Sequence, residues 1–381
     1  MEAGEGEVGL GVELGVGEGG EGEREGEREG EREGQGWEEG RGVGARWAAW
    51  GALWGLGAAL GCVGCHRVGA EDGARGGRLP AASVVASAGS GVGPAASAAA
   101  PASAAAVPQP RRTGGLRELT WHYDSTPFGA SEVVIAVPTD GAPDEKWPVL
   151  VAFHGRGESL RGAKRGARGW IDDYNLPTTT RRLVTPPLRA EDLLGMVTDE
   201  HLGELNAGLT ATPYRGLIVV CPFLPDVLRG GRGEADGKLL ASFLVDEVLP
   251  RVYRETPAIG TPRTTGVDGV SLGGRASLLV GFERPLAFGA VGALQPALDN
   301  DEAVRFAELA EDARAKNPSL SVRLLTSDED YFLEPTQLLS RALGAKHVPH
   351  RLDVVTGTHS YEFNRGPGGY EMLLFHDRAL R

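Results

Sequence analysis

Cysteine is scarce in this chain, with three among 381 residues. Cys62 and Cys65 lie together near the N-terminus, and Cys221 stands alone in the C-terminal part. A disulfide within that part is excluded, so its fold must be held by a buried core. Positive charge is in deficit, with 39 Lys and Arg against 52 Asp and Glu. No basic stripe or array of stacking aromatics occurs, which argues against nucleic acid as a partner. No unbroken apolar run reaches the roughly 20 residues of a membrane-spanning helix. There is no H-E-x-x-H or similar close set of ligands, so no metal is expected. No dinucleotide fingerprint follows the first apolar strand, and the loose glycines and arginines at 155–157 and 229–233 make no phosphate cradle, so no cofactor is expected.

The acidic excess is local. Residues 1–42 are a Gly/Glu tract with the repeat "GEREGEREGEREG". Fourteen Glu and three Arg in the first 40 residues carry −11 of the net −13, leaving a nearly neutral remainder at −2. So few apolar residues cannot build a core, and this tract is expected to be disordered. Residues 43–65 include "RWAAWGALWGLGAALGC", an Arg followed by about 15 apolar or small residues, the size of a signal-peptide core. "AALGC" resembles a bacterial lipobox with Ala59 in place of the usual Leu, which makes Cys62 a candidate lipid anchor. Export to the cell envelope or medium follows as an expectation. A signal segment belongs at a terminus, so the natural start is expected near Val43, and N-terminal sequencing of the natural product tests this. Cys62-Val63-Gly64-Cys65-His66 also matches the haem-attachment pattern C-x-x-C-H. That reading fails because residues 66–115 are an Ala/Ser/Pro-rich linker with nothing to enclose a haem.

From about Leu116 to Arg381 the pattern changes to one core-forming domain of roughly 266 residues. "LTWHYD" and "EVVIAVP" read as antiparallel entry strands. "WPVLVAFHG" and "GLIVVCP" are continuous apolar runs, as buried parallel strands are. "KLLASFLVDEVLPRVY" places Leu240, Phe243, Leu244 and Val248 at helical spacing, with Asp236 as its expected cap. Further on, "RTTGVDGV", "AFGAVGAL", "SVRLLTS" and "HRLDVVTG" read as strands separated by helical segments. This alternation predicts an α/β fold, a mostly parallel central sheet with helices on both faces. Residues 156–215 break the alternation and are expected to form a lid-like insertion. Trp170, Tyr174 and Tyr214 either line a pocket there or form its own small core.

"VDGVSLGGRAS" contains G-x-S-x-G at Gly269–Gly273. With 58 glycines and 16 serines in the chain, chance alone supplies about 0.4 such matches, so the pattern needs support from its context. Ser271 follows a strand and opens a helix. That turn would expose its hydroxyl at the C-terminal edge of the sheet beside the N–H groups of the helix. A serine needs a base. His66 is in the linker, His122 on an entry strand and His201 in the insertion. His347 and His350 precede the last strand, His376 lies within the closing helix, and His154 belongs to "FHGRG", which fits an oxyanion loop. His359, just past the last strand on a Gly/Thr/Ser loop, is the expected base. Its orienting acid is expected in "SDEDYFL", with Asp330 preferred and Asp328 as the alternative.

"FHGRG", "GVSLGG", "SDEDYFL" and "GTHSYEF", in this order and each at a strand end, resemble the α/β-hydrolase superfamily, in particular its esterase, feruloyl esterase and dienelactone-hydrolase-like branches. The resemblance covers about residues 116–381. It implies Ser271 as nucleophile, Asp330 as acid, His359 as base and the N–H of Leu272 as one oxyanion donor. The second donor is implied at Arg156 or Gly157, where this chain departs from the HGGG form of many lipases. The implied reaction is hydrolysis of a small-molecule or polymer-linked carboxylic ester through an acyl-enzyme. A serine peptidase of the oligopeptidase type and a non-catalytic, surface-tethered binding protein on the same scaffold are the alternatives.

Overall fold

The computed structural model describes residues 112–226 and 233–381. The Gly/Glu tract, the apolar segment with Cys62 and nearly all of the Ala/Ser/Pro linker lie outside them. The described residues build an eight-stranded sheet in the order β1-β2-β4-β3-β5-β6-β7-β8. β1 (Leu116–Thr126) and β2 (Gly129–Pro138) pair antiparallel, and β2 runs antiparallel to β4 (Ile218–Pro222). From β4 through β3 (Val149–Phe153), β5 (Thr265–Gly269), β6 (Ala290–Leu294), β7 (Ser321–Glu329) and β8 (Arg351–Thr358), all neighbours are parallel.

The apolar runs fold this way because successive strand residues face opposite sides, and both sides here are covered. Val133, Val149, Val151, Phe153 and Val267 enter one core with Leu240, Phe243, Leu244, Leu279 and Phe306 from the helices. Val134, Leu150, Ala152, Val219 and Cys221 enter a second core on the other face. The helix expected around Leu240 starts earlier than the periodicity indicated. It begins at Gly233, so Asp236 lies inside its first turn and is not a cap. An acid there still meets the positive end of the helix dipole.

Residues 156–215 supply much of the second core. Trp170, Leu176, Leu183, Leu193, Leu209 and Tyr214 are buried there against the sheet and the closing helix Gly369–Ala379. Trp170 also donates its indole N–H to Phe153 O at 3.0 Å. The segment is polar in sequence because its outer surface is solvated, while short helices such as Leu176–Leu183 and Asp199–Ala211 each turn a few leucines inward. Leu193 is fully buried among these residues. Leu193→Ala is expected to lower stability by about 2–5 kcal/mol through lost transfer energy and a residual cavity. Chemical denaturation would measure the change, and a variant as stable as the parent would contradict a load-carrying role for the insertion.

Candidate active site

Parallel strands deliver their C-terminal ends to one rim, and the sequence's polar punctuation collects there. Ser271 sits between β5 and the helix Leu272–Glu283, with φ 57° and ψ −116°. An L-residue held in that region costs about 1–3 kcal/mol, which the surroundings must supply. The turn is pinned on two sides: Val270 N–H donates to Phe153 O at 3.2 Å and Ser271 N–H to Leu294 O at 2.9 Å. The flanking glycines are steric necessities. A Cβ on Gly269 would lie 2.5 Å from Gly273 O, and one on Gly273 would lie 2.5 Å from Phe153 O. The backbone N–H of Leu272 donates to no acceptor among the described residues, as suits the first turn of a helix.

β7 is longer than the sequence indicated, and this gives the two candidate acids different surroundings. Asp328 and Glu329 continue the strand and are exposed, and Asp328 Oδ1 accepts the N–H of Gly357 at 2.9 Å. Asp330 is the first residue beyond the strand and is buried. Its Oδ2 accepts the Thr326 hydroxyl at 2.7 Å, and its Oδ1 accepts the Phe332 N–H at 2.9 Å. Oδ1 also lies 2.9 Å from His359 Nδ1. A carboxylate only accepts, so Nδ1 carries a hydrogen, and in the neutral imidazole the lone pair is then on Nε2. Tyr331 stacks 4.3 Å from the imidazole, Phe332 meets it edge-on at 5.3 Å, and the His359 side chain stays 12% exposed.

The loop from β8 then crosses the rim. Gln295, at the end of β6, donates to Thr358 O at 3.1 Å and to Ser327 Oγ at 2.7 Å. Two residues past His359, the Tyr361 hydroxyl donates to Glu158 Oε1 at 2.5 Å. Glu158 belongs to the turn that follows β3, and a Cβ placed on Gly155 of that turn would stand 3.8 Å from Ser271 Cβ. The histidine loop and the serine thus both meet this turn. Ser271 and His359 form no hydrogen bond with each other. Such bonds are often long in unliganded sites and tighten with substrate.

In the turn after β3, the Gly155 N–H is committed to the Tyr174 hydroxyl at 3.1 Å. The N–H groups of Arg156 and Gly157 donate to no acceptor among the described residues. The Arg156 side chain, about half exposed, pairs with Asp226 at 3.0 Å.

Five other histidines among the described residues are engaged elsewhere. His154 is buried with Nδ1 2.8 Å from Gly155 O, while Nε2 accepts the Leu224 N–H at 2.9 Å. Burial pushes its pKa down, so it stays neutral. His376 is fully buried, 2.9 Å from Asp268 Oδ2, and burial lowers its pKa despite that partner. His201 lies 2.9 Å from Glu371 Oε1, which raises its pKa. His350 is 2.7 Å from Ser340 Oγ, and His122 pairs with Glu132.

Glu158, Tyr361 and Gln295 escaped the sequence reading. Glu158 sits in a polar stretch where an acid reads as solvated surface, and nothing periodic marks it as buried. Gln295 left a faint signal, a polar residue closing the apolar run of β6. A cavity of about 550 Å³ lined by Leu249, Tyr253, Leu286 and Lys316 lies at the far end of the serine's helix and takes no part in this site.

No family model matches the chain, and no curated protein sequence matches it. Among solved structures the chain is similar to a ferulic acid esterase, with TM-score 0.52 and 18% identity over 69% of this chain and 99% of that one. It also aligns with the enterobactin esterase of Shigella flexneri, with TM-score 0.48 and 18% identity over 70% of this chain and 60% of that one. An S-formylglutathione hydrolase from Staphylococcus aureus aligns with TM-score 0.47 and 12% identity, over 69% and 99%. At such identities the likeness is one of backbone fold.

Proposed function

From the α/β-hydrolase fold of this chain, we propose that the protein is a serine hydrolase of carboxylic esters with Ser271, His359 and Asp330 as its triad. One observation carries the reading: a buried carboxylate orients His359 on the same rim where Ser271 is held in a strained strand-to-helix turn.

His359 Nε2 takes the proton of Ser271 Oγ as that oxygen attacks the ester carbonyl carbon. The carbonyl π electrons move onto oxygen. The resulting oxyanion is received by the N–H of Leu272 and by that of Arg156 or Gly157, whose donors are free in advance and need no reorganisation. Asp330 balances the charge of the imidazolium. Collapse of the intermediate breaks the bond to the alcohol oxygen, which leaves with the proton from Nε2. Water, deprotonated by His359, then attacks the acyl carbon; the bond from that carbon to Ser271 Oγ breaks, Oγ takes the proton back from Nε2 and the carboxylic acid leaves.

A small-molecule or polymer-linked ester is the substrate class in this reading. The apolar segment at 43–65 with Cys62 supports an exported enzyme, attached to the envelope or secreted. The test is labelling by a fluorophosphonate together with hydrolysis of p-nitrophenyl esters. A folded wild-type protein that neither labels nor hydrolyses any ester in a panel of short, long and aromatic acyl groups would overturn the proposal.

A further inference from the structure

Glu158 is almost completely buried, yet it carries no role in the reaction as written. Both of its carboxylate oxygens are occupied. Oε2 accepts the Tyr174 hydroxyl, and Oε1 accepts the Tyr361 hydroxyl at 2.5 Å. Each tyrosine oxygen also accepts a bond: Tyr174 from the Gly155 N–H at 3.1 Å, and Tyr361 from Arg161 at 3.2 Å. Each hydroxyl therefore donates once and accepts once, with the carboxylate as the terminal acceptor. Glu158 and Tyr174 lie 16 residues apart within the 156–215 segment, Glu158 in the turn after β3, and Tyr361 comes from the histidine loop. The packing leaves little slack. A Cβ on Gly157 would lie 2.5 Å from the Tyr361 hydroxyl, and one on Gly169 would lie 2.8 Å from Glu158 Cγ. The Tyr174 and Tyr361 rings stand 5.7 Å apart, and Tyr174 meets Trp170 edge-on.

We propose that Glu158 is a positioning residue, whose carboxylate between two tyrosine hydroxyls ties the Gly155–Gly157 turn to the loop carrying His359. This rests on the serine-hydrolase reading above. The tie acts on two parts of that chemistry at once. It fixes the turn whose Arg156 and Gly157 N–H groups face the developing oxyanion, and it sets where His359 stands relative to Ser271. A side amide cannot replace the carboxylate. In Glu158→Gln the amide nitrogen faces a hydroxyl that has lost its acceptor, and one arm of the tie opens. Tyr361→Phe opens the arm to the histidine loop directly.

The experiment compares wild type, Glu158→Gln, Tyr361→Phe and the double variant on one p-nitrophenyl ester, with melting temperatures for all four. A displacement of the order of 1 Å at a reacting group costs up to about 100-fold, so each single variant is expected to lose roughly 10- to 100-fold in kcat with KM within about threefold. Because both cut the same tie, the double variant is expected to be within about threefold of the worse single one. A merely structural role would lower the melting temperature and leave kcat of the folded fraction unchanged. If Glu158→Gln fails to fold, Tyr361→Phe carries the test alone, since its ring remains in place. Single variants with wild-type kcat, losses confined to KM, or losses that multiply in the double variant would overturn the positioning role while leaving the serine-hydrolase reading intact. A wild type without activity or labelling would overturn both.

Discussion

Ser271→Ala is expected to lose roughly 10⁶-fold in kcat on esters, the scale seen when a triad nucleophile is removed, and to lose fluorophosphonate labelling entirely. The backbone makes a second, independent statement about the same residue. Its φ of 57° is a conformation that glycine adopts freely and other residues resist. Ser271→Gly is therefore expected to be as inactive as the alanine variant but more stable than wild type by about 1 kcal/mol, or about 2–4 °C in melting temperature. Alanine relieves no strain and should show no such gain. The pairing of lost activity with gained stability is what distinguishes a strained functional serine from a serine that serves packing. Retained labelling in Ser271→Ala would mean that another residue is the nucleophile.

Asp330→Ala is expected to cost about 10⁴-fold in kcat, as loss of a triad acid does, whereas Asp328→Ala is expected to stay within about threefold of wild type, as an exposed substitution should. The two acids are two residues apart in sequence and differ in everything that matters. Asp330 is buried and holds His359 Nδ1, while Asp328 is exposed and holds a backbone N–H of the neighbouring strand. Asp330→Asn is expected to be milder than alanine, losing less than the roughly 10⁴-fold that follows where an Asn forces the wrong tautomer. Its Oδ1 position accepts from two N–H donors, Phe332 and His359, so the amide oxygen is drawn there and the amide nitrogen turns towards the Thr326 hydroxyl. The histidine then keeps its tautomer and loses only the charge that stabilises its cation. A loss in Asp330→Asn as large as in Asp330→Ala would show that the amide sits the other way round. A larger loss in Asp328→Ala than in Asp330→Ala would sink the assignment of the acid.

Much of this was legible in the chain because it is written in local patterns. Continuous apolar runs announced buried parallel strands, and helical spacing at Leu240, Phe243, Leu244 and Val248 announced the helices that cover them. Gly269-Val270-Ser271-Leu272-Gly273 announced its turn, since the glycines answer contacts with Phe153 and Gly273 that any Cβ would break. The insertion was harder to read. Its buried residues, such as Leu176, Leu183 and Leu193, are spread among short helices and solvated loops, with no single period to reveal a face.

Alternation of strand and helix in this sequence was sufficient for a mostly parallel sheet whose strand ends gather at one rim, because short-range periodicity decides which face of each element is apolar. It was also sufficient to bring Ser271, His359 and the Asp328–Asp330 acids to that rim as candidates. The sequence preferred Asp330 to Asp328, and the tertiary structure added the physical difference between them, carrying β7 two residues further and burying the Asp330 carboxylate against Thr326 and the imidazole. Only the tertiary structure showed that Glu158 joins Tyr174 and Tyr361. Tyr361 lies 203 residues from Glu158, and the three share no pattern in the chain. Hydrogen bonds between distant side chains depend on where packing puts the backbone, and that is decided by the whole core at once.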